Sequence, residues 1–467
     1  MRILLLREHS IEALKSVPLG ITALSAFIKQ KRKDYNVKVI DNHIEQYSNN
    51  ILMRMINEYK PDVVGITSMS IEAQSTHKLA ERIKDNLPSC FLVIGGAYAS
   101  SSPDWCLQSP GIDCVVKGEG EVSFLELIEH LEKNEDISSV KGISYKKDEA
   151  IITTPSREFI CNLDELPFPD LDSINIEKYF QAIYGFSQNV VQKFKRAIPV
   201  FTTRGCPYRC TFCHEVFGKI YRKHSPEYVI NYLKFLVTKY GVQEIQIVDD
   251  CFNFDMDRAK QICRLIIKHK VKIVVSFPNG IRADYIDEEM LDLFKEIGVF
   301  RIAFGIESGN KAVQKRIKKE LDLAKAEENI KKAAIRGFHL SAYFIIGLPG
   351  ETEENIWDTI NYACRLPIHV ASFFYFCLYP RIAIEKQIPS ELNSEKKYYF
   401  QVGEFNNYPV NTCSISVQRL VWLKKAAMMK FYFNWFRVTS NIRLVSNKYV
   451  LFKNLLTVIK CCFTGRY

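Results

Sequence analysis

The chain has 467 residues, more than one ordinary core accommodates, so two or three domains are expected. Hydrophobic residues make up 47% and charged residues 25%, a balance that fits a globular protein and excludes a disordered one. The net charge of +10 belongs to the end of the chain: no acidic residue follows Glu404, ten basic residues lie between Arg419 and Arg466, and the rest is balanced.

The opening apolar run, Met1 to Leu6, is too short for a signal peptide core and is stopped by Arg7 and Glu8, so it reads as a first buried strand. No stretch approaches 18 uninterrupted apolar residues, so no membrane span is expected and the protein is expected in the cytoplasm. Cysteines stay reduced there, and a tight cluster among the 14 means metal or catalysis rather than a disulfide.

Apolar runs at 3–6, 37–40, 63–67, 91–95 and 114–116 read as buried strands, with helical spacing at 19–30, 50–59, 73–87 and 121–131 between them. This alternation predicts a doubly wound, Rossmann-like parallel sheet over residues 1–140, with ligands at the carboxyl ends of its strands. Residues 142–146 and 151–154 flank a polar turn as a small hairpin, and Leu166-Pro167-Phe168-Pro169-Asp170 marks an extended linker, so 141–195 is a connecting region. A second alternation has strands at 198–202, 244–248, 272–277, 300–305, 340–346 and 372–378, with helices such as 228–240 and 290–297. Six βα units are too few to close an eight-fold barrel, so 196–385 is expected as an open, partial (β/α)6 barrel with active groups at the carboxyl ends. Residues 386–467 form a basic helical region in which Ile442, Val445, Tyr449, Phe452, Leu456, Ile459 and Phe463 trace one helix face.

Arg204-Gly205-Cys206-Pro207-Tyr208-Arg209-Cys210-Thr211-Phe212-Cys213 follows directly on the first strand of the second unit. Three thiolates within eight residues can wrap one metal centre, and thiolates suit iron–sulfur clusters or zinc. Structural zinc is normally closed by four ligands, whereas a cubane held by three cysteines keeps one iron open. Zinc completed by His214 or a distant residue, and three unrelated core cysteines, are the competing readings.

The motif C-x-x-x-C-x-aromatic-C, with Phe212 as the aromatic, resembles that of the radical S-adenosylmethionine superfamily, which carries it on the loop after the first barrel strand. The resemblance implies a 4Fe-4S cluster on Cys206, Cys210 and Cys213. Its open iron would be chelated by S-adenosylmethionine, whose reductive cleavage gives a 5′-deoxyadenosyl radical that abstracts hydrogen. It also implies an external electron donor of the flavodoxin or ferredoxin type. Other strand ends match the pattern: Asp249 and Asp250 after the second strand, Asn279 and Arg282 after the third, Gly305-Ile306-Glu307-Ser308-Gly309 after the fourth, and Gly347-Leu348-Pro349-Gly350-Glu351 after the fifth. Glycines there allow close backbone approach and carboxylates suit a sulfonium ligand; a helix cap or turn is the plainer use of each. Many relatives have Tyr-Pro-Gly-Thr after the sixth strand, where this chain has Tyr379-Pro380-Arg381-Ile382.

The front domain, linker and barrel together resemble the cobalamin-binding radical S-adenosylmethionine enzymes. The carrying residues are Pro18-Leu19-Gly20, Gly65-Ile66-Thr67-Ser68, Gly95-Gly96-Ala97 and Gly118-Glu119-Gly120-Glu121. Small residues at strand ends, notably Gly20, Ser68, Gly95, Gly96 and Gly118 beside Glu119, leave space for a large planar ligand; a nucleotide site or an empty domain would look similar. Asp41-Asn42-His43 lacks the glycine of the cobalt-ligating Asp-x-His-x-x-Gly motif and follows the second strand, so His43 reads as a surface loop histidine. Methylthiotransferases share the barrel but need three converging front cysteines, whereas Cys90, Cys106 and Cys114 read as packing residues.

The aromatics Phe431, Tyr432, Phe433, Trp435 and Phe436 lie among the basic residues of the tail. A helix packed on the barrel comes first, a peripheral membrane-surface helix second and nucleic-acid binding last, so no nucleic-acid partner is expected. The resemblance implies a cobalamin-dependent radical enzyme that methylates an unactivated carbon of a small-molecule or lipid-like substrate. An oxidative cyclase or rearrangement enzyme with the same machinery, and a non-catalytic cobalamin- or zinc-binding protein, are the alternatives.

Overall fold

A computed structural model describes residues 1–10, 15–148, 150–182, 192–388 and 411–435, with positions 437, 439, 442, 456 and 459 beyond them. The front sheet is built from β1 (Arg2–Arg7), β2 (Asn36–Asp41), β3 (Val63–Thr67), β4 (Phe91–Gly95) and β5 (Cys114–Val116), all parallel. Between them run α1 (Leu19–Lys31), α2 (Asn42–Glu45), α3 (Asn49–Tyr59), α4 (Ala73–Asn86) and two short helices, α5 (Ala97–Ser101) and α6 (Pro103–Gln108), with α7 (Gly120–Lys133) after the last. The alternation of strand side chains divides β1 between two cores: Leu4 and Leu6 pack on one face and Ile3 and Leu5 on the other.

The hairpin β6 (Ile143–Lys147) and β7 (Ala150–Thr153) does not hang in a linker. It pairs antiparallel onto β5, Val116 opposite Ile143, to complete a seven-stranded sheet of order β2-β1-β3-β4-β5-β6-β7. The expected boundary at residue 140 therefore falls inside one sheet, because β5 would otherwise present an unpaired edge.

The linker and α8 (Ile176–Gln181) bind the two units together. Asp170 accepts from Ser25 Oγ and Lys29 Nζ of α1, both at 2.7 Å. Phe168 packs its ring against Tyr228, Tyr232 and Phe235 of the first barrel helix, and Tyr179 of α8 hydrogen-bonds Asp41.

The second sheet contains β8 (Ala197–Val200) and, after the small antiparallel pair β9 (Thr203–Arg204) and β10 (Arg222–Lys223), β11 (Glu244–Ile247), β12 (Val274–Ile281), β13 (Val299–Glu307), β14 (His339–Ile346) and β15 (Val370–Tyr375). Its order β15-β14-β13-β12-β11-β8 is wholly parallel, the open six-stranded arrangement expected. Helices α9 (Pro226–Tyr240), α10 (Met256–Lys268), α11 (Glu288–Glu296), α12 (Lys311–Arg316), α13 (Leu323–Ile335) and α14 (Glu353–Arg365) follow in turn, and α15 (Val417–Tyr432) packs on α14 and β15.

Two strands outrun their sequence signals. β12 continues past Phe277 through Pro278, Asn279 and Gly280, where its register with β13 shifts, and β13 continues to Glu307 through a second irregularity at Gly305. Pro278 lacks a donor, so the ladder slips there instead of ending. Both slips turn polar side chains toward the carboxyl mouth of the barrel. Of the expected tail stripe, Ile442, Leu456 and Ile459 are described and exposed; Val445, Tyr449, Phe452 and Phe463 lie outside the described residues, as does Phe436.

Candidate active site

The three cysteines occupy the start of a loop closed at its base by β9 and β10, with Arg204 opposite Arg222. Gly205 has φ +81°, and a Cβ there would lie 2.3 Å from the Ile220 carbonyl oxygen, so the close return of the chain requires glycine. Cys206 N–H donates to the Gly218 carbonyl at 3.3 Å, and Cys213 N–H to that of Cys210 at 3.3 Å. Between the thiols, Thr211 is clamped: its N–H donates to Ile317 and its carbonyl accepts from Ile384. Phe212 packs on the apolar cluster that contains Val313, Ile317, Leu348 and Phe376.

Cys206, Cys210 and Cys213 are all free and partly buried. Cys251, just past the second barrel strand, hydrogen-bonds Cys206 and draws its thiol down to about 7. Burial raises Cys210 and pushes Cys213 up to about 12. Lys319, Glu307 and Arg282 act electrostatically on Cys210, and Lys219 and Asp250 on Cys206 and Cys213. Among the described residues no three His, Cys, Asp or Glu side chains are gathered to hold a single metal ion.

Glu307 closes β13 in the left-handed region, φ +66°, and its Oε1 pairs with Lys319 Nζ at 2.9 Å. A non-glycine residue there carries strain of roughly 1–2 kcal/mol. Arg282 forms a fork with Asp284, at 3.0 and 2.7 Å, while its guanidinium stacks 4.2 Å from the Tyr208 ring. Asn279 is exposed on the β12 bulge and donates to the carbonyls of Val248 and Asp249. Asp250 is pushed up by burial, against His214 and the Gly205 backbone, which hold it down.

Several expected contact residues use their polar groups on the protein itself. Asp249 is fully enclosed and accepts from Thr202 N–H and Oγ1 and from Thr203 N–H, which fixes the turn ahead of the cysteine loop. Ser308 is buried against Thr359 Oγ1 at 3.0 Å and caps Asn310. Gly347 donates its N–H to Glu351 Oε2 at 2.7 Å and accepts from Thr412. Ser68 accepts from Thr76 and donates to the Met69 carbonyl.

Glu119 is spent on an ionic tie between the two units. It accepts from Arg204 Nη1 at 2.9 Å, from Arg222 Nη1 at 2.7 Å and from Ile160 N–H, while Glu121 takes Arg204 Nη2 at 2.6 Å. Burial pushes Glu121 up, yet Arg204 outweighs it and holds the carboxyl below its ordinary value. A second contact crosses the same boundary. Arg381, at the departure from Tyr-Pro-Gly-Thr, keeps the left-handed backbone a glycine would adopt, φ +66°, and sends Nη2 to Asp104 of α6 at 3.8 Å. These contacts bring the carboxyl edges of the two sheets together.

On the front edge, Gly20, Gly95 and Gly118 border open ground, where an added Cβ would meet nothing within 4 Å. Gly96 differs: with φ +94° its Cβ would stand 2.7 Å from the Ser68 carbonyl oxygen, so it permits the close crossing of β3 and β4. His43 is buried, not a surface residue. Its Nδ1 accepts from Ser10 N–H at 3.3 Å and its ring stacks on His9, because Asp41 caps α2 and folds the loop inward. Cys90 and Cys106 pack on one face of the front sheet and Cys114 on the other, so they cannot converge.

Lys319, Lys219 and Cys251 carried no signal in the sequence. Lys319 sits in a charged run that resembles solvated surface, Lys219 is a lone lysine between Gly218 and Ile220, and Cys251 is a single cysteine beside two aspartates.

Residues 200–363 match the model of the radical SAM superfamily, and residues 13–128 match that of the B12 binding domain. An uncharacterized methyltransferase of Pyrococcus horikoshii, PH0819, is 33% identical over 392 residues, 81% of each chain. The cytidylyl-2-hydroxyethylphosphonate methyltransferase of Streptomyces wedmorensis is 32% identical over 405 residues, 76% of this chain and 75% of that one. Among solved structures, the radical S-adenosylmethionine methyltransferase TsrM of Kitasatospora setae, with cobalamin and a [4Fe-4S] cluster bound, superposes with a TM-score of 0.70. It is 17% identical and aligns over 84% of this chain and 78% of TsrM, a likeness of fold.

Proposed function

This chain belongs to the radical S-adenosylmethionine superfamily and carries a B12 binding domain ahead of its barrel, and from that we propose that it methylates an unactivated carbon. It is an enzyme whose cofactors are a 4Fe-4S cluster, S-adenosylmethionine and cobalamin. The observation that carries the reading is the facing of two carboxyl edges, one with three thiols on a single loop and the other with open ground beside small residues.

The residues present fit these groups. Cys206, Cys210 and Cys213 would hold the cluster, being soft ligands on one rigid loop. Gly20, Gly95 and Gly118 would floor the corrin, since any side chain there would occupy the open ground. When bound, the cluster supplies the electron that cleaves S-adenosylmethionine to the hydrogen-abstracting 5′-deoxyadenosyl radical, and cobalamin carries the methyl group.

The remaining work falls to the chain. Lys319 paired with Glu307, and Arg282 paired with Asp284, offer both signs of charge beside Cys210, which matches the zwitterionic methionine end of S-adenosylmethionine. Asn279 presents an exposed amide on the bulge beside them, and Phe212 closes the apolar side of the loop. Arg204 and Glu119 set the distance between the two edges. Asp249 and Ser308 act beneath this layer by holding the turns in place.

An external one-electron donor of the flavodoxin or ferredoxin type, a small-molecule or lipid-like substrate and a peripheral membrane contact complete the proposed partners. The test uses anaerobically reconstituted protein with reductant, cobalamin and S-adenosylmethionine labelled on its methyl group. Label on cobalt together with 5′-deoxyadenosine, both read by mass spectrometry, is the expected result. Deoxyadenosine with unlabelled cobalt would replace methyl transfer by cyclisation or rearrangement.

A further inference from the structure

Two cations stand at the seam between the sheets without a hydrogen-bond acceptor. Lys117 follows β5 directly, at the carboxyl edge of the front sheet, and is half-buried. Its backbone N–H donates to the Gly142 carbonyl at 2.9 Å and that of Gly118 to Ser100 Oγ at 2.9 Å, so the root of its side chain is fixed. Among the described residues nothing accepts from its ammonium group, although a partly buried cation is ordinarily paired. Arg381, in the loop beyond β15, is the second. Its guanidinium comes to 3.8 Å of Asp104, outside hydrogen-bond length, and the two side chains are 55% and 63% exposed.

The carboxylates nearby leave both cation heads open. Burial and then the Arg381 charge hold the Lys117 amine below its ordinary value, and Asp104 offsets them only in part. Glu385 is close to Arg381, but its Oε2 accepts the Arg381 backbone N–H at 2.9 Å and makes no ion pair with the guanidinium. Arg381 also holds φ +66°, a backbone that glycine adopts without strain. A strained residue with so loose a partner fits a side chain kept for what it binds. Its surroundings say where that binding occurs. Gly118, next to Lys117, borders the open ground of the front edge. Tyr379, two residues before Arg381, packs on the same apolar cluster as Phe212 of the cysteine loop. One cation thus lies beside the ground assigned to the corrin and the other on a loop that shares its packing with the thiols.

We propose that Lys117 and Arg381 bind an oxyanion of the substrate, a phosphate or phosphonate group, in the gap between the two carboxyl edges. The inference rests on the reading of that gap as the place of methyl transfer. An ammonium gives a point charge and a guanidinium a planar fork, and a tetrahedral oxyanion has acceptor oxygens enough for both. Holding the substrate by its charged end fixes which carbon it presents between the corrin and the cysteine loop.

The test is isothermal titration of inorganic phosphate into the anaerobically reconstituted holoenzyme at constant ionic strength. The protein is saturated with cobalamin and a non-cleavable analogue of S-adenosylmethionine, so that the acidic groups of both cofactors are already seated. Saturable binding with a Kd of about 1 mM is expected, and Lys117→Gln and Arg381→Gly should each weaken it about tenfold. Glycine keeps the backbone that the loop requires, so the second variant folds as the parent does, and the thermal midpoint checks the first. Deoxyadenosine formation by the parent, measured with S-adenosylmethionine itself, tells a failure of the radical chemistry apart from a failure of this site. No saturable binding by the parent, or an unchanged constant in either variant, would overturn the proposal. So would cobalamin retention that falls with either substitution, which would give the cations to the nucleotide phosphate of the cofactor.

Discussion

Glu119 of the front domain accepts a hydrogen bond from Nη1 of Arg204 at 2.9 Å, and Arg204 stands two residues ahead of Cys206. Because Arg222 donates to the same carboxylate and Arg204 also reaches Glu121, two cations and two anions meet with their side chains nearly sealed from solvent. Removing one charge leaves the others desolvated and unmatched. Glu119→Gln is therefore expected to cost about 3 kcal/mol of stability, seen as a lower urea midpoint. An unchanged midpoint would show that the tie contributes nothing to the docking of the two units.

Cys206, Cys210 and Cys213 differ from Cys251 in what their loss does. Alanine at any of the three should remove the brown absorbance, the acid-labile sulfide and all deoxyadenosine formation. Cys251→Ala should retain all of these, since its thiol meets the loop by hydrogen-bonding Cys206 and is not one of the three in the motif. Retention of the cluster by Cys210→Ala would refute the assigned ligand set.

The open ground beside Gly95 gives a substitution that the fold tolerates and the ligand does not. Gly95→Leu introduces a side chain whose first atom meets nothing within 4 Å, so the thermal midpoint of the cofactor-free protein should hold. Retention of cobalamin through gel filtration should fall by about tenfold or more, with the cluster signal intact. Undiminished retention would move the corrin elsewhere on the front domain.

Lys319→Met leaves Glu307 without its partner beside the cysteine loop. The Michaelis constant for S-adenosylmethionine is expected to rise about 10- to 100-fold, the effect of truncating one member of a shielded charge pair. Isothermal titration with a non-cleavable analogue measures this free of turnover. Unaltered affinity would exclude Lys319 from the methionine end of the site.

Glu351 provides a pH signature. Burial lifts its carboxyl from an ordinary 4.5 to about 8, outweighing the Gly347 and Leu348 N–H groups that it accepts. The folded chain thus holds a proton that the unfolded chain releases above about pH 4.5. Its contribution destabilises the fold progressively as pH rises from 4.5 to 8 and levels off beyond. Glu351→Gln has no such dependence, so its thermal midpoint should gain on the parent across that window. Parallel curves from pH 5 to 8 would refute the buried, protonated carboxyl.

The sequence carried the architecture well because both sheets are parallel and their strands are continuous apolar runs between helices. Strands such as 63–67 and 91–95 end where periodicity places them. The ends of β12 and β13 were illegible, since bulges at Pro278 and Gly305 depend on which strand lies alongside. The cysteine loop announced itself through spacing alone. Its neighbours did not: Lys319 belongs to a run of charges, and only the fold brings it to Cys210. The same limit applies to Glu119 and Asp249, whose positions at strand ends suggested ligands but whose carboxylates close turns and bridge domains.

Gly218 has a further consequence. Its position, φ +71°, leaves room for no side chain because the ring of Phe159, from the connecting segment, lies against it; an added Cβ would stand 2.4 Å from Phe159 Cζ. The carbonyl of that same glycine receives Cys206 N–H. The connecting segment is thus a wedge under the cysteine loop: the backbone that receives the first thiol-bearing residue rests on a ring contributed from outside the barrel.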